Sequence, residues 1–170
     1  MNTQSDAPVV VGYDGSPAAG SGLRVGASLA AFHRVTLRIV HAYAWPVLFA
    51  PLANLPFRAD DWTVPSAAEA MLDQARARVV ASHDGLRVET AVVVGPGAPV
   101  LIDESTRALL VVVGSRGVGG VAGALAGSVT AQLATRASCP VVVVGPRADR
   151  SDRPGTGTFD PAATTRLDAA

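Results

Sequence analysis

The chain has 170 residues, 49% of them apolar, with fourteen basic residues balanced by fourteen acidic ones. That length suits one domain able to bury its own core, and zero formal charge removes the electrostatic footprint of a general nucleic-acid binder. All fourteen basic residues are arginines, which excludes a Walker-type phosphate lysine and a Schiff-base lysine.

The opening MNTQSDAPVV has no basic n-region and no apolar h-region, so it does not read as a secretory signal. No apolar run approaches the roughly 20 residues of a membrane helix; a cytoplasmic protein with no membrane and no nucleic-acid partner is expected. Cys139 is the sole cysteine, which excludes an internal disulfide and a cysteine-based metal cluster. It is read as a small buried hydrophobe.

Pro8 to Tyr13 is a β-branched run closed by DGSP, the pattern of a buried strand leading into a helix. Ser16 is placed for an N-cap and Pro17 for the first helical turn. Leu23, Ala27, Ala30 and Ala31 then carry a helix to about His33. VTLRIVHAY is a second strand. Ala44 to Val64, with Pro46, Pro51 and Pro56 inside it and two tryptophans, reads as a long loop.

A second helix follows from Ser66, which has capping-box spacing to Glu69. LRVETAVVV is a third strand, GPGAPVLIDEST a turn and short helix, and ALLVVV a fourth strand. Val129, Leu133 and Ala137 mark a last helix, and CPVVVV, Cys139 to Val144, a fifth strand. Residues 1–146 form the expected domain; 147–170, polar and rich in Pro and Gly, read as a disordered tail. Strands alternating with helical connections predict an α/β fold, a five-stranded parallel sheet with helices on both faces. In such a sheet ligands sit outside the carboxyl ends of the strands.

Between the fourth strand and the last helix lie six glycines from Gly114 to Gly127. Bare amides there, with the amino end of a helix, form an anion site, and a phosphate chain is the natural ligand. Ser128 sits where the N-cap of that helix belongs. The apolar residues Val118, Val121, Ala122, Ala124 and Leu125 argue against a polar tether. GVGGVA matches the dinucleotide fingerprint loosely, but in the fourth unit and without the acidic residue that would hold a ribose. Asp14, at the end of the first strand, has two readings: a turn or capping residue, or a carboxylate for a sugar or a phosphate-bound metal ion. His33, His41 and His83 share no spacing and read as packing or surface residues, so no metal site is expected. Asp103 and Glu104 are expected to face solvent, and no catalytic residues assemble.

Three segments, VVVGYDGSPAAGSGLRVGASLA, VVVGPGAPVLIDES and LLVVVGSRGVGGVAGALAGSVTAQLATRASCPVVVV, resemble the universal stress proteins in order and spacing. The signature G-x2-G-x9-G-[ST] is met by Gly114, Gly117, Gly127 and Ser128. The resemblance implies a Rossmann-like, adenine-nucleotide-binding fold holding ATP, with Mg2+, and pairing of two chains through the strand Val141–Val144. By position it implies that Gly12 and Asp14 contact the nucleotide, that backbone near Val40 binds adenine, and that Gly114, Gly117, Gly127, Ser128 and Val129 surround phosphates and ribose. Arg116 stands where relatives often carry a basic residue or histidine and is read as pairing with a phosphate in preference to solvent. One departure is Leu109, where many relatives have an aspartate.

The function expected from all this is a cytoplasmic, ATP-binding stress-response homodimer whose occupancy is read by an unknown regulatory protein. Two alternatives stand beside it: a slow ATPase or autophosphorylating enzyme acting on Ser115 or Ser128, and a nucleotide-free dimerisation module.

Overall fold

The β-branched runs become strands and the alanine-rich amphipathic stretches become helices, in strict alternation. The structure is a computed structural model that describes residues 7–43, 66–117 and 127–145. The elements are β1 (Val9–Gly12), α1 (Pro17–His33), β2 (Leu37–Tyr43), α2 (Ser66–Ser82), β3 (Val88–Val94), α3 (Gly97–Ser105), β4 (Leu110–Gly114), α4 (Ser128–Arg136) and β5 (Val141–Val144). The loop assigned to 44–64, the apolar residues within the glycine loop and the tail from 147 lie outside the described residues.

All strand pairings are parallel and the sheet order is β3-β2-β1-β4-β5. The chain first moves outward from β1 to β3, then returns to place β4 on β1's other side, with Val9 opposite both Leu37 and Leu110. The strand order therefore reverses between β1 and β4, which opens a crevice at their carboxyl ends.

Alternation along each strand sorts two cores. Val9, Val11, Leu37, Ile39 and Val112 pack with Leu23 and Ala27 of α1 and with Leu72, Ala75 and Val79 of α2. On the other face Val10, Val40, Val111 and Val113 pack with Val100 and Leu101 of α3 and Leu133 of α4. Each fully buried Val, Leu or Ile contributes ~1.5–3 kcal/mol from apolar area removed from water. The strand residues Val9, Val10, Val11, Leu37, Ile39, Val111 and Val112 are completely buried, so β1 and its two neighbours dominate that sum.

Helix α1 starts as its sequence dictates: Ser16 is the N-cap, its Oγ accepting the Ala19 N–H at 3.1 Å, and Pro17 opens the first turn. That turn lies directly on the end of β4. A Cβ added at Gly114 would stand 2.7 Å from the Ala18 carbonyl carbon and 2.9 Å from the Ala19 nitrogen. Because the obstruction is backbone, Gly114 is required by the fold itself.

At the amino end of β4, Leu109 donates its N–H to the Pro8 carbonyl at 2.8 Å and its side chain packs against the α1/α2 core. The apolar residue at this position thus serves the far end of the strand from the crevice. No described helix is long and apolar enough to cross a membrane.

Candidate functional site

A cavity of about 280 Å³ opens at the carboxyl ends of β1, β2 and β4 and the amino ends of α3 and α4. Its volume is near the lower end of the ~300–1,000 Å³ of small-molecule sites. The structure brings all nine sequence-assigned residues to its wall. Gly12 and Asp14 come from the end of β1 and the turn after it, and Val40 from β2. Gly114, Arg116 and Gly117 come from the end of β4 and beyond, and Gly127, Ser128 and Val129 from the start of α4.

The turn after β1 is tightly held. Asp14 Oδ1 accepts the Ser16 N–H at 3.0 Å, an Asx-turn that leads into the capped helix. Gly15 adopts φ +80°, and a Cβ there would meet Met71 Sδ of α2 at 2.9 Å, so only glycine suits the position. The turn role of Asp14 is therefore present, and its other oxygen lies across the crevice beside Gly117: a Cβ on Gly117 would come within 2.5 Å of Asp14 Oδ2. The first two signature glycines have different reasons. Gly114 makes room for helix α1, and Gly117 makes room for a carboxylate.

The ends of the glycine loop are fastened to the sheet edge. Ser115 donates its N–H to the Val144 carbonyl at 2.8 Å, and Gly127 donates its N–H to the Ser115 carbonyl at 2.9 Å. The Gly127 carbonyl accepts the Ala131 N–H at 3.0 Å, which makes Gly127 the N-cap, with extended backbone at φ −70°, ψ 158°. Ser128, expected as the cap, is instead the first helical residue, because the bond to Ser115 holds Gly127 in the flanking position. Ser66 likewise opens α2 as a helical residue, with Glu69 in the same turn. As a glycine, Gly127 offers no side chain to cap α4. Its first-turn amides and the positive end of its dipole face the cavity, an arrangement that attracts an anion.

On β2 the position of the peptide groups can be read residue by residue. The Val40 carbonyl accepts the Tyr13 N–H at 2.9 Å, so Val40's main chain is directed toward β1 and engaged there. In a parallel strand successive residues alternate the neighbour they address. The next residue directed toward β1 is Ala42, two positions past the last β1 pair, Gly12 with Val40. Ala42 also lines the cavity. Among the described residues, the β1-facing peptide groups beyond the last β1 pair belong to Ala42, one step of the alternation past Val40.

Glu104 departs from expectation. It is 2% exposed, and its carboxylate is clamped by Arg38 (Nε–Oε2 3.0 Å, Nη2–Oε1 3.0 Å) and Arg107 (Nη2–Oε1 3.0 Å). Arg38 also lies 3.7 Å from Glu89. Burial on its own would raise the Glu104 pKa, but hydrogen bonds and charge from Arg38 and Arg107 together hold it below the ordinary carboxylate value. Asp103, by contrast, is exposed as expected, its carboxylate 3.8 Å from Arg107.

Cys139 is half-buried against the α3/α4 core, and burial pushes its thiol pKa up, away from reactivity. His33 stacks edge-on against Phe32, and His83 Nδ1 lies 3.0 Å from the Ser82 hydroxyl. Among the described residues no group of three or more His, Cys, Asp or Glu could hold a metal ion.

Several wall residues escaped the reading of the sequence. His41, set aside as a packing residue, lines the cavity with Nδ1 2.8 Å from the Tyr13 carbonyl. Thr130 is buried at the cavity edge, its Oγ1 donating to the Gly114 carbonyl at 3.2 Å. Gly97 and Leu101 bring α3 to the wall; the signal was available, since the loop after β3 also leaves a carboxyl end. β5 is an outer strand, and Val143 on it is 46% exposed.

The chain matches the universal stress protein family over residues 7–145. It is 34% identical over 143 residues to a universal stress protein of Mycobacterium tuberculosis, Rv2624c, a match covering 84% of this chain and 49% of that protein. The chain thus spans about half the length of the curated relatives it matches. Among solved structures, a universal stress protein in complex with cAMP superposes with a TM-score of 0.60 at 30% identity, covering 82% of this chain and 97% of that one. A universal stress protein from Archaeoglobus fulgidus in complex with dAMP superposes at 0.58, with 20% identity, covering 81% and 97%. The family match over residues 7–145, the five-stranded parallel sheet with helices on both faces and the shared fold place the chain in the universal stress protein family.

Proposed function

We propose that this chain is an adenine-nucleotide-binding regulator of the stress response, cytoplasmic and homodimeric, with ATP as ligand. The observation that carries the reading is convergence: nine residues chosen from three separated segments all line one open cavity. The relative solved with cAMP, at 30% identity, supports a nucleotide of this class.

The walls divide by chemistry. Ala42's main-chain N–H and C=O offer a donor–acceptor pair for the adenine edge, between the apolar side chains of Val40 and Leu101. Phosphates are received by the amides of Gly117, Ser128 and Val129 at the start of α4, with the Arg116 guanidinium as counter-charge. Asp14 supplies one carboxylate. That fits a Mg2+ ion held mainly by phosphate oxygens and water, the usual manner for this cation, and not an all-protein cage. The ion would neutralise phosphate charge; Asp14 would orient it or the ribose.

Dimerisation is assigned to Val141–Val144, an outer strand whose apolar edge needs a partner. A regulatory protein would read the occupied state.

Isothermal titration of the full chain with ATP, with cAMP as a second arm, tests the nucleotide half of the reading. Saturable binding below millimolar ATP is the expected result. If neither nucleotide gives saturable heat, the regulatory reading fails; if cAMP alone does, the ligand is a monophosphate and the phosphate chain assignment is withdrawn.

A further inference from the structure

Resting on the nucleotide reading, we infer that His41 is a positioning residue: its imidazole fixes the peptide that leads into Asp14, and so sets where the Asp14 carboxylate stands in the cavity.

The Tyr13 residue is gripped by β2 on both sides. Its N–H donates to the Val40 carbonyl at 2.9 Å, and its carbonyl lies 2.8 Å from His41 Nδ1. A carbonyl only accepts, so Nδ1 carries the proton and the neutral ring is the Nδ1–H tautomer. The carbonyl so held belongs to the Tyr13–Asp14 peptide, the unit immediately before the Asp14 Cα. Downstream, Asp14 Oδ1 is tied to the Ser16 N–H at 3.0 Å, and Ser16 caps α1. Gly15, at φ +80°, rests against Met71.

The other hydrogen bonds named here come from backbone or from the turn's own side chains. The His41 ring is the one side-chain grip from a neighbouring strand that these hydrogen bonds record. Its consequence reaches the far wall, because Asp14 Oδ2 stands where a Gly117 side chain would be. A turn that loses its anchor lets the carboxylate drift toward the glycine loop. His41 acts through another residue and not on the ligand, so its effect must disappear when Asp14 is removed.

Two variants separate this from a packing role. His41→Leu keeps the bulk and removes the donor. His41→Asn restores a donor, since the amide Nδ2 occupies the place of Nδ1 relative to Cβ. ATP affinity by calorimetry should fall about 5- to 10-fold in His41→Leu, the loss of one well-placed hydrogen bond, and lie within about 2-fold of wild type in His41→Asn. In an Asp14→Ala background His41→Leu should bring no further loss, the non-additivity of residues acting as a unit.

Ligand-free NMR supplies a readout independent of binding. Long-range proton–nitrogen correlation of the imidazole should show Nδ1 protonated, and the Asp14 and Gly117 amide resonances should shift in His41→Leu and return in His41→Asn. An Nε2–H ring, unshifted Asp14 and Gly117 amides, an Asn variant as weak as Leu, or additive losses with Asp14→Ala would each overturn the inference. A wild-type chain that binds no nucleotide would refute the proposed function alone, leaving the ring tautomer and amide shifts to decide the role of His41.

Discussion

The two ends of the sheet treat polar groups in opposite ways. At the amino end of β2, Arg38 meets Glu104 from the last turn of α3, and Arg107 closes the cluster on the same carboxylate. At the carboxyl ends, α3 begins with Gly97, α4 is flanked by Gly127 as its N-cap, and Arg116 stands at the rim of an open cavity. One end is closed by its own ion pairs, and the other brings main-chain groups to the wall of an open cavity. Stability and ligand recognition should therefore separate by location, and four substitutions test that separation.

Gly114→Val has the largest expected effect. The residue is at the cavity, yet its missing side chain makes room for the α1 backbone, so the change should cost about 3 kcal/mol, the upper part of the overpacking range, measured by urea denaturation. If this variant folds normally but loses nucleotide, Gly114 belongs to the site and not to the fold.

Glu104→Gln leaves Arg38 without its carboxylate, and unfolding free energy should drop by about 2 kcal/mol at neutral pH, below the cost of breaking a fully buried pair because both arginines are partly exposed. The Glu104 pKa is depressed in the folded chain, so its contribution is complete above the unfolded carboxyl value and is lost as pH falls through the folded value. The stability gap between wild type and Glu104→Gln should be constant above about pH 5 and shrink below about pH 4. ATP affinity should not change; a weakened affinity would show the two ends to be coupled.

Gly117→Ala reverses the pattern. The new methyl group would displace the end of the Asp14 side chain, so ATP affinity should fall about 10-fold while stability shifts by under about 1 kcal/mol. Arg116→Ala is the smallest: at this exposed position a lost charge should weaken ATP binding about 3-fold, with the difference narrowing as salt rises.

Much of the fold was legible because its signals are local. β-branched runs, Ser16 with Pro17, and alternating strands and helices all operate within a few residues, and the elements lie within one or two positions of expectation. The fifth strand is an instructive shortfall: expected from Cys139, it begins at Val141, since Pro140 has no N–H and contributes its carbonyl to Val111.

What remained hidden depends on pairing across the chain. Glu104 looked like a solvent-facing helix residue because its partner, Arg38, lies 66 positions away. An arginine inside the run LRIVHAY was nonetheless a clue, since a charge on an inner parallel strand requires an opposite charge nearby. The sequence points to backbone near Val40 but not to which residue there faces past the end of β1, because which neighbour a peptide addresses is fixed by register, and register is invisible in a single strand. His41 shares no spacing with the other histidines, and its partner, the Tyr13 carbonyl, lies 28 positions away. The glycine signature was readable as a pattern, but the distinct causes of Gly114 and Gly117 were not, since one is set by α1 and the other by Asp14.

The most direct test of a nucleotide site at the carboxyl edge is an amide proton–nitrogen NMR titration of the full chain with ATP and Mg2+. The account predicts saturable shifts at Ala42, Gly117, Ser128 and Val129, with the amides of Arg38 and Glu104 unmoved. Shifts confined to other surfaces, or none at saturating ATP, would contradict it.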